Sequence, residues 1–250
     1  MKAAYSITLL AAGLLAFSAP AHAAKLDVRI IESARRSYVF NNYLKGDDVR
    51  LESKDGHVTM TGLVEEYFHR SLAQETIADI PGVKSVDNRL EVKGSSPTAN
   101  SDAWLHDKVK ATLLFHRSVS ADTTEVDVKD GVVTLRGSAA SPAQKELTEE
   151  YAKDVEGIKG LRNEMTVAAP AKAAVRTTGE KIDDVSVAAL VRMALLLHHS
   201  TSGVYTTIAT RHGVVTVGGR ARTAAEKELV TRVVKDVNGV KRVKNRMTID

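Results

Sequence analysis

A pattern of 66 residues occurs three times in this chain, at 27–92, 102–167 and 184–249, and the copies align without a gap. A turn-and-strand signature marks each copy: DGHVTMTG from Asp55, DGVVTLRG from Asp130 and HGVVTVGG from His212. A second signature follows downstream: PGVKSVDNRLEV from Pro81, EGIKGLRNEMTV from Glu156 and NGVKRVKNRMTI from Asn238. The second copy is the first shifted by 75 positions, and the third is the second shifted by 82. Each copy is therefore one folding unit, and function must lie in what the copies share or in how they differ.

The repeat divides the 250 residues into three small domains, each only modestly stable by itself. With no cysteine, disulfides, thiolate metal sites, cysteine nucleophiles and lipidation at cysteine are excluded. Ahead of the first copy, Lys2 precedes an apolar run from Ile7 to Phe17, and Ala21-His22-Ala23 supplies small residues around a cleavage point. That combination predicts a signal peptide over 1–23, cut near Ala23, and an exported protein without a lipid anchor. No later run is long enough for a membrane-spanning helix. The expected domains are 24–93, 102–168 and 182–250, joined by linkers at 94–101 and 169–181 whose composition suits mobile tethers.

Within a copy the hydrophobic period changes from helix to strand and back. Ile30, Ala34 and Tyr38 form a helical stripe, repeated by Leu105, Val109, Leu113 and by Val187, Val191, Leu195. The leading aspartates Asp27, Asp102 and Asp184 are expected as helix N-caps. Alternation at Val49 and Leu51, then at Val58 and Met60, flanks Asp55-Gly56 and predicts a hairpin. His212-Gly213 is a poorer turn pair, so a different geometry is expected for the third hairpin. Ser141-Pro142 and Thr223 open a second helix, expected to stop at Gly82, Gly157 and Gly239. A third strand follows. The fold class is α+β: three tandem αββαβ domains, each a mixed three-stranded sheet covered on one face by two helices.

These signatures resemble the BON domain family, on Gly56, Gly62 and GVKSVDN, on Gly131, Gly137 and GIKGLRN, and on Gly213, Gly219 and GVKRVKN. The resemblance implies a periplasmic, osmotically inducible protein that binds anionic phospholipid or envelope proteins and carries no known chemistry. A third copy departs from the usual pair. Gly56, Gly62, Gly82, Gly131, Gly137, Gly157, Gly213, Gly219 and Gly239 are read as backbone positions. Asn88, Asn163 and Asn245 are read as side chains that satisfy backbone groups at a turn.

No nucleophile elbow, phosphate loop or zinc-helix motif is present, and no enzyme activity, cofactor or metal is expected. The pair His198-His199 points its rings about 100° apart on a helix, which suits chelation poorly. Charge separates the copies better than motifs do. Lys and Arg number 11 against 12 acids over 24–97, 9 against 12 over 98–169, and 14 against 7 over 170–250. The candidate anion-binding residues are Arg192, Arg220, Arg222, Lys241, Arg242, Lys244 and Arg246. Nucleic acid also suits a basic patch, but export and an aromatic content of 4% argue against it.

The third copy also opens on VSVAALVRMALLL from Val185, in which only Ser186 and Arg192 are polar. A helix apolar nearly all round must be covered. One reading buries it against a neighbouring block or a second copy. The other makes Val187, Leu190, Val191, Met193, Leu196 and Leu197 a contact surface for lipid or for partly folded protein, with Trp104 and Tyr205 as interfacial anchors. The expected function is phospholipid binding chiefly through the third domain, with an outer-membrane-protein chaperone or adaptor as the alternative.

Overall fold

The computed structural model describes residues 19–94, 98–119, 121–168, 181–202 and 205–250. The expected leader core and most of the longer linker lie outside the described residues. In the first block, α1 (Ala19–Arg36) precedes a short π-helical turn, the hairpin β1 (Asp48–Lys54) and β2 (His57–Val64), then α2 (Tyr67–Ala78) and β3 (Ser85–Val92). The second block comprises α3 (Asp102–Phe115), β4 (Thr124–Lys129), β5 (Val132–Ala139), α4 (Pro142–Lys153), β6 (Gly160–Asn163) and β7 (Thr166–Val167). The third comprises α5 (Asp184–Leu197), α6 (His199–Ser202), β8 (Thr206–Arg211), β9 (Val214–Ala221), α7 (Ala224–Asp236), β10 (Arg242–Asn245) and β11 (Thr248–Ile249).

Each sheet places the second strand in the centre, antiparallel to the first and parallel to the third. The crossover through α2, α4 or α7 is what a parallel third strand requires. In the second and third blocks that strand is interrupted at Glu164-Met165 and Arg246-Met247, and both pieces pair with the same central strand. The α+β expectation therefore holds, with the third strand in two segments in those blocks.

The shared aspartates do a different job from the one expected. Ser101 and Asp183 cap α3 and α5. Asp27, Asp102 and Asp184 instead reach across to the hairpins and accept from two successive turn amides. The distances are 2.9 and 2.9 Å from Asp55 and Gly56, 2.8 and 2.8 Å from Asp130 and Gly131, and 2.6 and 2.8 Å from His212 and Gly213. Hydrogen bonds from the Ser53 hydroxyl and the Gly56 amide hold the Asp27 carboxyl below the usual carboxylate range. This clamp also explains why the third hairpin is not different. His212 and Gly213 take φ of 53° and 76°, against 54° and 83° at Asp55 and Gly56. Two bonds to a carboxylate offset the cost of the left-handed conformation at a histidine.

The glycines expected to end the second helices lie beyond them. Helices α2, α4 and α7 stop at Ala78, Lys153 and Asp236, and Gly82, Gly157 and Gly239 turn the chain into the third strand with φ of 100°, 95° and 84°. A Cβ at Gly82 or Gly239 would stand 2.6 or 2.7 Å from Leu26 or Val187 of the leading helix. Asn88, Asn163 and Asn245 tie the third strand to the second helix. Their amide groups donate to the carbonyls of Arg70, Lys145 and Lys227 at 2.9, 3.1 and 2.9 Å, and their oxygens accept from the amide two residues on.

The blocks are not beads on a string. Second and third blocks meet by an approximate twofold exchange. His116 bridges Val237, and Val155 bridges His198, pairs related by the offset of 82. Asp236 accepts from Ser118 and from the Tyr151 hydroxyl (2.7 Å) and faces His116 at 3.4 Å. Reciprocally, Asp154 pairs with His198 and accepts from Ser200 at 3.0 Å. Burial pushes both carboxyls up, but the hydrogen bonds prevail and hold each below its ordinary 3.8. Their contribution is thus fully present above that value and lost as pH falls through the depressed one. In urea unfolding, the stability gap between the wild type and an Asp154→Asn, Asp236→Asn variant should be full well above the ordinary carboxylate value of 3.8 and close as pH falls below it. A gap independent of pH would contradict this.

Candidate functional site

The apolar helix α5 is an interior element. It packs on α2 of the first block, α3 of the second and α7 of its own. Val187, Leu190, Val191, Met193 and Leu197 are buried, within a core continuous between the first and third blocks. Of the six expected contact residues, only Leu196 is exposed, at 56%. The expectation of an outward apolar face is therefore corrected: the neighbouring block covers it, as a helix without a wet side requires. Trp104 is half-buried under the Lys108 ammonium, 4.2 Å from the ring centre. Tyr205, at the entrance to β8, is 72% exposed.

Arg192 is corrected for the same reason. It reaches into the first block and forms a two-pronged pair with Asp79, at 2.7 and 2.6 Å, with Glu75 at 3.7 Å. Burial beside these charges pushes the Glu75 carboxyl up, although Arg192 opposes the shift. On the neighbouring helix Lys110, the equivalent position of the second block, pairs with Glu66 at 2.8 Å. The first block is thus docked by one cation from each of its neighbours.

The other six basic residues are all exposed, but they do not form one set. Arg222 sits past the end of β9 and pairs with Glu226 at 3.3 Å. Lys241 lays its stem against the hairpin at Gly213, as Lys84 and Lys159 do at Gly56 and Gly131, so it marks the shared fold. Arg220, Arg242, Lys244 and Arg246 come together on the open face of the third sheet. Alternate residues of a strand share a face. Val215, Val217 and Ala221 of β9 are buried toward the helices, which leaves Val214, Thr216, Gly218 and Arg220 on the other side. Pairing of Arg242 with Val214, and of Lys244 with Thr216, puts those two cations on the same side, and Arg246 continues the phase.

Arg211 of β8, paired with Val214, is a fifth member that the sequence reading missed. The same face carries Thr207 and Ala209 where the second block has Glu125 and Asp127. Asp250, at the far end of the third strand beyond Thr248, is the acid that remains in this phase, and none stands between the cations. The open face of the first sheet balances Arg50 with Asp48 and Arg89 with Asp87, each at 2.7 Å; the second pairs Arg136 with Glu164 at 3.0 Å. Among the described residues, Arg211, Arg220, Arg242, Lys244 and Arg246 form no ion pair. The arrangement is an exposed cationic array with threonines between the charges. No group of His, Asp and Glu among the described residues is arranged to hold a metal.

A family model for the BON domain matches residues 27–94, 101–169 and 183–250, together more than half of the chain. The chain belongs to the BON domain family. It is 29% identical over 143 residues to osmotically-inducible protein Y of Escherichia coli (strain K12), covering 56% of this chain and 71% of that protein. Two solved structures of CdsD, described as a structural protein of the type III secretion system of Chlamydia trachomatis, are 16% identical. They cover 89% of this chain and 98% and 92% of their own, with TM-scores of 0.23 and 0.24, a superposition too loose to carry an argument. The BON signature residues map onto the hairpins, the third strands and their supporting glycines and asparagines. Those positions build the unit and leave the open sheet faces free to differ.

Because Arg192 joins two blocks, Arg192→Ala should cost about 2–3 kcal/mol in urea unfolding by leaving Asp79 and Glu75 without their cation. It should leave the five-cation face unaltered. No change in stability would return Arg192 to the surface.

Proposed function

We propose that this protein is a non-enzymatic, exported component of the cell envelope, of the osmotic-stress class, that docks on anionic phospholipid surfaces through the open face of its third sheet. The observation that carries this reading is the set Arg211, Arg220, Arg242, Lys244 and Arg246, exposed on one face and forming no ion pair among the described residues, with Asp250 at its far edge as the one acid against five cations. Such residues near an anionic surface contribute about 1 kcal/mol each, so five give a useful, salt-sensitive association. An open, three-stranded face suits a bilayer surface better than a cleft ligand. Export is supported by the sequence of the first 23 residues. The likeness to osmotically-inducible protein Y supports the osmotic-stress class. No helix among the described residues is long and apolar enough to cross a membrane, which fits attachment from one side. The chaperone alternative drew on an exposed apolar helix, and the burial of α5 removes that support.

Co-sedimentation with vesicles tests the reading. Binding should rise with anionic lipid content and fall steeply between low and high salt. Glutamine at Arg220, Arg242, Lys244 and Arg246 should abolish most of it, whereas Arg222→Gln should change little. Thr207→Glu with Ala209→Asp, which restores the acids of the second block, should weaken binding about tenfold or more without loss of stability. Equal sedimentation with neutral and anionic vesicles would sink the proposal.

A further inference from the structure

At the centre of the cationic face the sheet has a bare spot. Gly218 lies on the outward phase of β9, where the first and second blocks carry Thr61 and Arg136. Its φ is not in the left-handed region, so the fold itself does not call for glycine. The missing side chain makes room for a neighbour: a Cβ at this position would stand 2.6 Å from the Thr207 hydroxyl of β8, with which Gly218 is paired. On the opposite side, the Arg246 amide donates to the Val217 carbonyl at 2.7 Å, which places Arg246 beside Gly218. Arg220 follows two residues along β9, and Lys244 stands opposite Thr216. With strands about 4.8 Å apart and alternate residues about 6.7 Å apart, three cations are rooted within about 8 Å of Gly218.

We propose that Gly218 and Thr207 make this spot a seat for a phosphate monoester headgroup of a membrane lipid, selected over a phosphodiester. The inference rests on the docking reading above and names the headgroup chemistry. A monoester carries about −1.5 to −2 charge at neutral pH and three terminal oxygens, against one charge and two free oxygens in a diester. Guanidinium groups bond such oxygens in pairs, and each added charge strengthens attraction to every cation in the cluster. The Thr207 and Thr216 hydroxyls supply short-range donors between the charges. A bulky side chain at 218 would displace Thr207 and fill the spot.

The test uses the mature chain and two sets of phosphatidylcholine vesicles, one containing phosphatidic acid and one phosphatidylglycerol, matched in surface potential. The expected result is a preference of about threefold to tenfold for phosphatidic acid. Thr207→Val and Gly218→Thr should each bring the two affinities to parity, by lowering affinity for phosphatidic acid more than affinity for phosphatidylglycerol. Thr207→Val keeps the branched strand residue, and threonine already stands at the equivalent position of the first block, so both variants retain the fold. Equal affinity of the wild type for both vesicles, or a preference that survives both variants, overturns the inference and leaves the docking reading intact. Displacement by inorganic phosphate far below the concentration of sulfate needed assigns the seat to a soluble ion and overturns the headgroup assignment. Failure to bind either anionic vesicle removes the docking reading and the inference with it.

Discussion

The arrangement of this protein depends on covering one helix. Ten of the residues of α5 are buried, from Ser186 to Leu197, and each large apolar side chain among them contributes about 1.5–3 kcal/mol by leaving water. The third block by itself offers only α7 and its sheet, which cover part of a helix whose large side chains are apolar nearly all round and of which Leu196 is left exposed. The first block supplies α2, and the second supplies α3 with Phe115 at the junction, in edge-to-face contact with Phe68 and Tyr43. Polar contacts then fix the register. Asp183 and Ser186, at the start of α5, accept from the amides of Tyr38 and Val39, and Arg192 grips Asp79 one side further along. First and third blocks, marginal by size, share one interior to which the second lends Ala111 and Phe115, while the second keeps a core of its own.

That packing determines which surfaces remain free to evolve. Helices face inward or toward neighbouring blocks, and the open faces of the sheets are left to solvent. Two of these faces keep opposite charges in balance. The third replaces two acids with Thr207 and Ala209 and gains Arg220 and Arg242 at positions occupied by Ser138 and Gly160 in the second block. None of these changes touches the aspartate clamp, the strand glycines or the helix-binding asparagines. A cationic surface thus distinguishes one copy of a repeated unit without disturbing what folds it.

Much of the fold was legible because the repeat supplied three readings of every local signal. The hairpins, the crossover helix and the parallel third strand follow from periods and turn residues that recur in register. The aspartate clamp was not legible, since a carboxylate at a helix start serves equally as a cap, and only the tertiary approach of hairpin to helix decides. The third hairpin was misjudged for the same reason: Asp184 lies 28 residues from His212 in sequence. Site residues divided along similar lines. Outward phase on the third strand correctly grouped Lys244 with Arg246. Arg192 was misplaced because a lone arginine on an apolar helix looks like a free charge until its partner block is in place. Arg211 was missed although the gapless alignment held the signal, in the loss of Glu125 and Asp127 equivalents beside it. Charge totals by block concealed what a comparison of faces reveals.

We propose that the third block meets a membrane with its open sheet face while α5 stays inside. The absence of cysteine allows single, clean labels: a fluorophore at Ala209→Cys on the face, and another at Leu196→Cys on the exposed flank of α5. Quenching by a water-soluble agent, with and without anionic vesicles, compares the two sites directly. The account predicts that vesicles shield the label at 209 and leave the label at 196 open to the quencher. Shielding at 196 with 209 still exposed would show that the helix, and not the sheet, is the membrane-facing element.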